Sequence, residues 1–137
     1  MATFDKFNAF VEHVAEKVHN LGADQIVVGL TTQANAPAAA NSVLADLTQI
    51  SYTNLSSRNV TTASSAQSSG TYSLALTDLV LTASGAVATF RRTFHYNDTP
   101  TSPADPLIGA HDYGSDVTLA NGETFTFDYG SSFLQIA

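Results

Sequence analysis

The stretch ATFRRTFHYN, residues 88–97, alternates apolar and polar side chains, which is typical of a β-strand. The alternation predicts that Phe90, Phe94 and Tyr96 share one side of the strand. Arg92 falls on the same side, which is unusual for a charged residue. Either a β-bulge changes its direction, or a carboxylate lies next to it.

Short segments with the same two-residue period surround this stretch from residue 71 to residue 137, and Gly, Pro, Asn and Ser turns separate them. Asn121-Gly122, between DVTLA and ETFTF, predicts a tight β-hairpin. Phe125 and Phe127 share a face of the second segment. We therefore predict an antiparallel, sandwich-like β body over 71–137, although the sequence does not decide between a sandwich and a barrel.

The N-terminal segment, residues 1–22, has the periodicity of an α-helix. Thr3 is the predicted cap of this helix, and Asn20-Leu21-Gly22 is its predicted end. A helix this short needs an apolar surface to pack on, either in this chain or in a neighbouring copy. The apolar stripe, which Phe10 widens, consists of Phe4, Phe7, Val11, Val14, Val18 and Leu21.

Residues 23–70 are predicted to hold one buried strand, DQIVVGLTT at 24–32, followed by Ala-, Ser- and Thr-rich loops. The polar segment 54–70 is either a long loop or an extended arm that becomes ordered only against a partner. Residues 1–137 are predicted to form a single domain of the α+β class, mostly β, with the N-terminal helix packed on the sheets.

The composition excludes several partners and chemistries. Only 12% of the 137 residues are charged, about half the usual share, and the net charge is −7. Five basic residues form no patch for phosphates, so we expect neither nucleic acid nor an anionic membrane as a partner. The chain has no cysteine, which excludes disulfides and thiolate chemistry.

The tetrapeptide DYGS occurs at 112–115 and again at 128–131. A calcium site would require Asp112, Asp116 and Asp128 to converge, with His111 as a further candidate, but the spacing matches no regular calcium loop. Alternatively each tyrosine ends a strand, each glycine takes a positive φ, and the Ser or Asp caps the turn. We favour turns at the ends of hairpins.

Two further patterns carry candidate chemistry. Glu12, Glu16 and His19 have a spacing that could hold zinc on a helix, although a solvated polar face is the simpler interpretation. His95 beside Tyr96, with Asp98 close by, resembles half of an acid–base pair. The chain has no nucleophile-elbow, P-loop or dinucleotide motif. We therefore predict that the protein is not an enzyme, with no catalytic, cofactor-binding or metal-binding residues.

Three segments together resemble a family of small tailed-bacteriophage virion proteins: FDKFNAFVEHVAEKVHNLGADQIVVGLT at 4–31, YNDTPTSPADPLIGAHDYGS at 96–115 and VTLANGETFTFDY at 117–129. The resemblance covers most of the chain and is weakest at 51–70. It implies a capsid decoration (cement) protein, made in the host cytoplasm, that binds the major capsid protein on the outer face of an icosahedral shell. It supplies no active-site motif.

The apolar helix stripe and the apolar C-terminus exceed what a small monomer needs, which indicates a homo-oligomer, either trimer or dimer. The alternative is a monomer whose helix covers its own sheet. The residues predicted to form the interface are Phe4, Phe7, Phe10, Val11, Val14 and Ile136.

A different role within the virion is also open. The chain could be a tail or tail-tip component that binds host glycans through Tyr113, Tyr129 and Asp112, although it lacks tryptophan, the preferred residue for stacking on sugars. A phage-encoded enzyme such as a hydrolase is a third possibility that the missing motifs disfavour.

Overall fold

A computed structural model describes residues 3–137, and Met1 and Ala2 lie outside the described part. The strands pair antiparallel throughout, which confirms the predicted α+β, mostly β class. In chain order the elements are β1 (Asp5–Lys6), α1 (Asn8–Ala15), β2 (Ile26–Thr31), β3 (Asn59–Val60), β4 (Thr62–Ser68), β5 (Thr71–Leu76), β6 (Leu79–Thr82), β7 (Phe90–Asn97), β8 (Leu107–Val117), β9 (Thr124–Phe127) and β10 (Leu134–Ile136).

The described strands form three sheets that pack in layers. A five-stranded sheet has the order β1-β8-β7-β2-β3, a three-stranded sheet the order β10-β5-β4, and a two-stranded sheet pairs β6 with β9. Ile26 and Val28 of the large sheet lie in one apolar cluster with Leu74, Leu81 and Leu134 of the smaller sheets. The arrangement is therefore sandwich-like, with the main core between the large sheet and the two small ones.

Strand β2 is the buried strand that the sequence predicts, and all six of its residues are buried. Val28 and Leu30 face the main core, whereas Val27 lies in a second apolar cluster on the opposite face of the sheet. Leu44 and Leu47, from the segment between β2 and β3, cover this second cluster. Because both faces of β2 are covered, its sequence is a continuous apolar run rather than an alternating one.

Strand β7 contains a β-bulge, and a carboxylate also lies beside Arg92. The pairing of β7 with β8 shifts register between Phe90 and Arg92. Phe90 therefore packs in the main core, whereas Phe94 and Tyr96 lie in the second cluster. The prediction that the three rings share one face is wrong for Phe90. Arg92 Nη1 lies 3.6 Å from Asp112 Oδ2, so Arg92 stays on the apolar side with a charged partner.

The N-terminal helix starts later than the sequence predicts. Residues 5–6 pair with β8 as strand β1, so the chain is extended up to Phe7, and Phe7 rather than Thr3 occupies the cap position. Residues 1–2 of the predicted helix lie outside the described residues. Within residues 3–137, no helix is long and apolar enough to cross a bilayer.

The helix also ends earlier than the sequence predicts. It ends at Ala15 because Lys17 adopts a φ of 66°, in the left-handed region. The N–H groups of Lys17 and of the next residue donate to the carbonyls of Val14 and His13, which is the Schellman pattern of a helix end. The predicted end at 20–22 is therefore wrong, because the residue that takes the left-handed conformation at the helix end is a lysine and not the glycine that usually marks such an end.

The polar segment 54–70 is neither a plain loop nor an unpaired arm. Residues 59–60 pair with β2, and residues 62–68 pair with β5 across the turn at Ser69-Gly70. Both turn residues have positive φ, as tight hairpin turns require. Most side chains of β4 are exposed, so the backbone hydrogen bonds to β5 are what order this strand.

Asn121-Gly122 forms a tight turn, but not the predicted hairpin. The Glu123 N–H donates to the Ala120 carbonyl at 3.0 Å, and Gly122 has a φ of 86° that glycine adopts without strain. The strand that follows, β9, pairs with β6 instead of β8. The predicted pairing is wrong because β8 ends at Val117 and the chain then crosses to another sheet.

Candidate functional site

A cavity of about 480 Å³ lies where β7 and β8 of the large sheet meet β9 and the segment that follows it. We call it the aromatic pocket because aromatic rings provide most of its wall. Its volume lies in the range of small-molecule sites. The lining residues are Phe4, Thr93, His95, His111, Tyr113, Phe125, Thr126, Phe127, Asp128, Tyr129, Ser132 and Phe133.

His95 and Tyr129 form the buried end of the aromatic pocket. His95 Nε2 lies 2.7 Å from the Tyr129 hydroxyl, and both side chains are buried. Burial, with a smaller contribution from His111, lowers the pKa of His95 to about 3. Burial raises the pKa of Tyr129 above its usual value, and nearby Asp78 adds to this. The two side chains are therefore uncharged at neutral pH and share a neutral hydrogen bond.

The predicted acid–base grouping of His95 with Tyr96 and Asp98 does not form. Successive side chains of a strand point to opposite faces, so Tyr96 lies in the second cluster while His95 lines the aromatic pocket. Asp98 is exposed beyond the end of β7. The actual partner, Tyr129, lies 34 residues away in sequence, and no local pattern identifies that pairing.

The open side of the aromatic pocket carries Tyr113 and Asp128. Tyr113 is 54% exposed, and its ring packs on Phe125 with centroids 5.0 Å apart at 65°. Asp128 is exposed, and its Oδ1 accepts a hydrogen bond from the Gly130 N–H at 3.0 Å. Burial lowers the pKa of His111, which the Asp5 carboxylate partly opposes. Among the lining residues, Asp128 is the one with an acidic side chain.

Phe4 forms a wall that the aromatic pocket shares with a second cavity. Its ring lies edge-on to Phe133, with centroids 5.4 Å apart, and packs over Gly109 of β8. A Cβ atom at Gly109 would overlap the Phe4 ring. The glycine in this strand therefore allows Phe4 to lie flat against the sheet.

The second cavity, of about 370 Å³, lies between α1 and β10, and we call it the α1–β10 groove. Val11 and Ile136 at this groove are 55% and 40% exposed, which is unusual for large aliphatic residues. Its floor is formed by the buried Phe10 and Leu134. The lining residues are Phe4, Lys6, Phe10, Val11, Val14, Ala15, Leu134, Gln135 and Ile136.

Five of the six residues predicted as an interface line this groove. The exception is Phe7, which is 2% exposed and packs in the second cluster, so it offers no surface to a partner. Phe10 is 4% exposed and contributes a floor rather than a contact surface. The predicted residues of α1 and of the C-terminal strand therefore lie side by side, but the prediction did not separate exposed from buried members of the stripe.

The backbone edge of β10 adds to the groove. Strand β10 pairs with β5 on one side, from Leu134 opposite Leu74 to Ile136 opposite Tyr72. Within residues 3–137, no strand pairs with its other side, since β10 ends the sheet order. An open strand edge beside exposed apolar side chains is a favourable place for another chain to pair.

The two DYGS motifs share a local geometry but occupy different positions. In each, the aspartate Oδ1 accepts a hydrogen bond from the glycine N–H two residues on, at 2.9 Å for Asp112 and 3.0 Å for Asp128. Both glycines, Gly114 and Gly130, have positive φ. The second motif is a turn after β9, but it links β9 to β10, which lies in a different sheet, and the first motif lies inside β8. The interpretation of the motifs as turns is therefore correct for the second one, and their interpretation as hairpin ends is wrong for both.

The residues proposed for glycan binding do not meet. Arg91 donates two hydrogen bonds to the Asp112 carboxylate, at 2.9 and 3.2 Å, and together with the Gly114 N–H these lower the pKa of Asp112 to about 2. Asp112 therefore belongs to an ion pair and does not line the aromatic pocket. Tyr113 and Tyr129 do line it, but the Tyr129 hydroxyl is bound to His95.

The predicted metal-binding alternatives are not assembled either. His19 is buried against Phe10, while Glu12 and Glu16 are exposed. The His19 Nδ1 atom lies 3.1 Å from the Asn97 side-chain nitrogen. Within residues 3–137, no group of three or more His, Asp or Glu side chains is placed to hold a metal ion.

No protein-family model, curated protein or solved structure matches this chain. The resemblance to phage virion proteins therefore stays a prediction. The two cavities provide the physical basis for proposing a function.

Proposed function

We propose that this chain is a non-enzymatic structural protein of a tailed-bacteriophage virion, and that it binds the outer face of the capsid as a decoration protein. Its partner is the major capsid protein, and it binds as a homo-oligomer. The α1–β10 groove is the observation that supports an assembly contact, and the resemblance of segments 4–31, 96–115 and 117–129 is what directs the proposal to a virion.

The groove has the features of an assembly contact. Val11 and Ile136 hold large aliphatic side chains about half exposed to water. Exposed apolar residues that cluster beside an open strand edge usually mark a surface that another protein covers. Burying each of these half-exposed side chains stabilises a contact by about 1 kcal/mol, so binding relies on repeated contacts across the shell.

Stabilisation of the capsid then follows from linkage. A protein that binds the assembled shell but not its separated subunits stabilises the shell by RT ln(1 + [L]/Kd) per site, about 2.7 kcal/mol when its concentration is 100 times Kd. This function requires a rigid body and an interface rather than a reactive group. The buried His95 fits this role, because a histidine whose pKa is about 3 is poorly matched to general-base catalysis near neutral pH.

The test is to add purified protein to capsids that lack it and to count bound copies per particle. The double substitution Val11→Asp with Ile136→Asp places charge in the groove. We expect at least a tenfold loss of affinity, since each unpaired charge in an apolar contact opposes burial by more than about 1 kcal/mol.

Val80→Asp is the matched control. Val80 is 49% exposed and lies on β6, outside the groove. This variant should bind like the wild type. Equal occupancy of the groove variant and the control would contradict the groove as the contact, and a handful of copies at the tail tip would contradict the decoration role.

A further inference from the structure

The aromatic pocket has a second property that the decoration role does not use. Several of its ring pairs meet at steep angles: 72° between Phe125 and Phe127, 87° between Phe4 and Phe133, and 89° between Tyr129 and Phe133. Phe127 and Tyr129 are the near-parallel pair, at 17°, and with centroids 6.0 Å apart they stack on each other. A flat ligand ring stacks best between two parallel walls. Walls that meet at right angles instead form a box that suits a compact group.

The charge of the lining favours a cation. Aromatic rings present negative faces, which attract an ammonium group lying within about 6 Å. Asp128 adds a carboxylate at the exposed side, and among the lining residues of the described chain there is neither lysine nor arginine. The chain as a whole carries a net charge of −7, which attracts cations over a longer distance.

We propose that the aromatic pocket binds an organic cation of the alkylammonium class, held between Tyr113, Phe125 and Phe127 and paired with Asp128. A lysine side chain of another protein and a free quaternary amine share this chemistry. The rings contribute the larger share, because Asp128 is exposed to solvent and an exposed ion pair contributes little. The site is separate from the α1–β10 groove except for Phe4, and it does not depend on a role in the virion.

Saccharides fit the pocket less well. A sugar site needs several hydrogen-bonding side chains around an aromatic platform, and the hydroxyl of Tyr129 is already bound to His95. Ser132 donates its hydroxyl to the Leu134 carbonyl. Two of the hydroxyl groups at the pocket are therefore already engaged within the chain.

Calorimetric titration of the full chain with matched probes tests the proposal. Choline represents a quaternary amine, n-butylammonium represents a lysine side chain, and 3,3-dimethyl-1-butanol is the neutral isostere of choline. We expect at least one ammonium probe to bind about tenfold more tightly than the neutral alcohol, as a partly desolvated cation–π site implies. Tighter binding of n-butylammonium would identify a protein side chain as the source, and tighter binding of choline a free amine.

Variants then locate the binding. Asp128→Asn should weaken ammonium binding about two- to fivefold, and Glu12→Gln, which removes the same charge from the exposed face of α1, should leave it unchanged. Tyr113→Leu, at a largely exposed position where the fold tolerates change, should weaken binding by a similar factor through the loss of one ring.

Four outcomes would overturn the proposal. They are equal binding of choline and its neutral isostere, no binding of either ammonium probe, unchanged binding after Tyr113→Leu, and preferential binding of monosaccharides over the ammonium probes.

Discussion

The aromatic pocket and the α1–β10 groove share Phe4 as a wall but differ in almost everything else. The pocket ends in a buried, hydrogen-bonded pair, His95 and Tyr129. The groove is aliphatic, with Val11 and Ile136 about half exposed. The pocket therefore has one end fixed by a buried hydrogen bond, whereas the groove exposes apolar side chains to solvent.

The comparison shows that the apolar residues of the N-terminal stripe occupy two different environments. One part of the N-terminal stripe completes the core, and another part remains at the surface.

Acidification has the largest expected effect, because it acts on both regions through buried histidines. Burial and then nearby His13 lower the pKa of His19 from 6.5 to about 4, against an opposing effect of Asp24. Burial and then His111 lower that of His95 to about 3. In each case the folded state holds the neutral ring.

The sign follows from linkage. Between pH 6.5 and pH 4 the unfolded chain binds protons that the folded chain does not, so the free energy of unfolding falls as pH falls. Each histidine contributes a slope of about 1.4 kcal/mol per pH unit, and the slope of His19 ends near pH 4 while that of His95 continues to about pH 3.

Urea denaturation across this pH range measures the slope. The free energy of unfolding should be nearly constant above pH 7. Between pH 6.5 and pH 4, His19→Gln should reduce its slope by the contribution of one proton, about 1.4 kcal/mol per pH unit. A wild-type stability that is flat in this window would contradict the burial of both rings. The carboxylates with lowered pKa, such as Asp112, act only at lower pH, below their ordinary value of 3.8.

Truncating one side chain of the groove floor and one of its rim should show that the first stabilises the fold and the second does not. Phe10 is 4% exposed and packs on His19 with centroids 5.2 Å apart, so Phe10→Ala should destabilise the chain by about 3–5 kcal/mol. Val11, its neighbour in sequence, is 55% exposed, and Val11→Ala should change stability by no more than about 0.5 kcal/mol. Thermal denaturation of the two variants compares them directly, and similar losses would contradict the assignment of Phe10 to the floor.

Local patterns in the sequence predicted elements better than their partners. The continuous apolar run of β2 identifies a strand buried on both faces, and the alternation in β7 identifies a strand. The position of the bulge beside Arg92 is set by pairing with β8, and Asp112 of β8 lies 21 residues after Arg91, so a local pattern does not contain it. For the same reason Asn121-Gly122 predicted a turn correctly but not the pairing of β9 with β6.

The candidate sites show the same limit. The groove could be predicted in outline, because an amphipathic N-terminal segment and an apolar C-terminal strand both need a cover. The aromatic pocket could not, because its rings come from five separate places in the chain and their convergence depends on how the sheets stack. In the sequence, the aromatic residues of β9 and of the segment after it have the pattern of residues that fill an ordinary hydrophobic core.

The smallest expected effect distinguishes the two tyrosines of the DYGS motifs. Tyr129→Phe removes the hydroxyl bound to His95 and leaves a buried ring nitrogen without its partner, which should lower the free energy of unfolding by about 1–2 kcal/mol. Tyr113 has the same motif context but is 54% exposed, so Tyr113→Phe should leave stability within about 0.5 kcal/mol of the wild type. Urea denaturation at pH 7.5, where both histidines are neutral, makes the comparison independent of their titration. Equal effects of the two substitutions would mean that the His95–Tyr129 hydrogen bond does not hold the buried end of the pocket. The pocket would then not be more rigid than the groove, and the contrast between the two regions would be wrong.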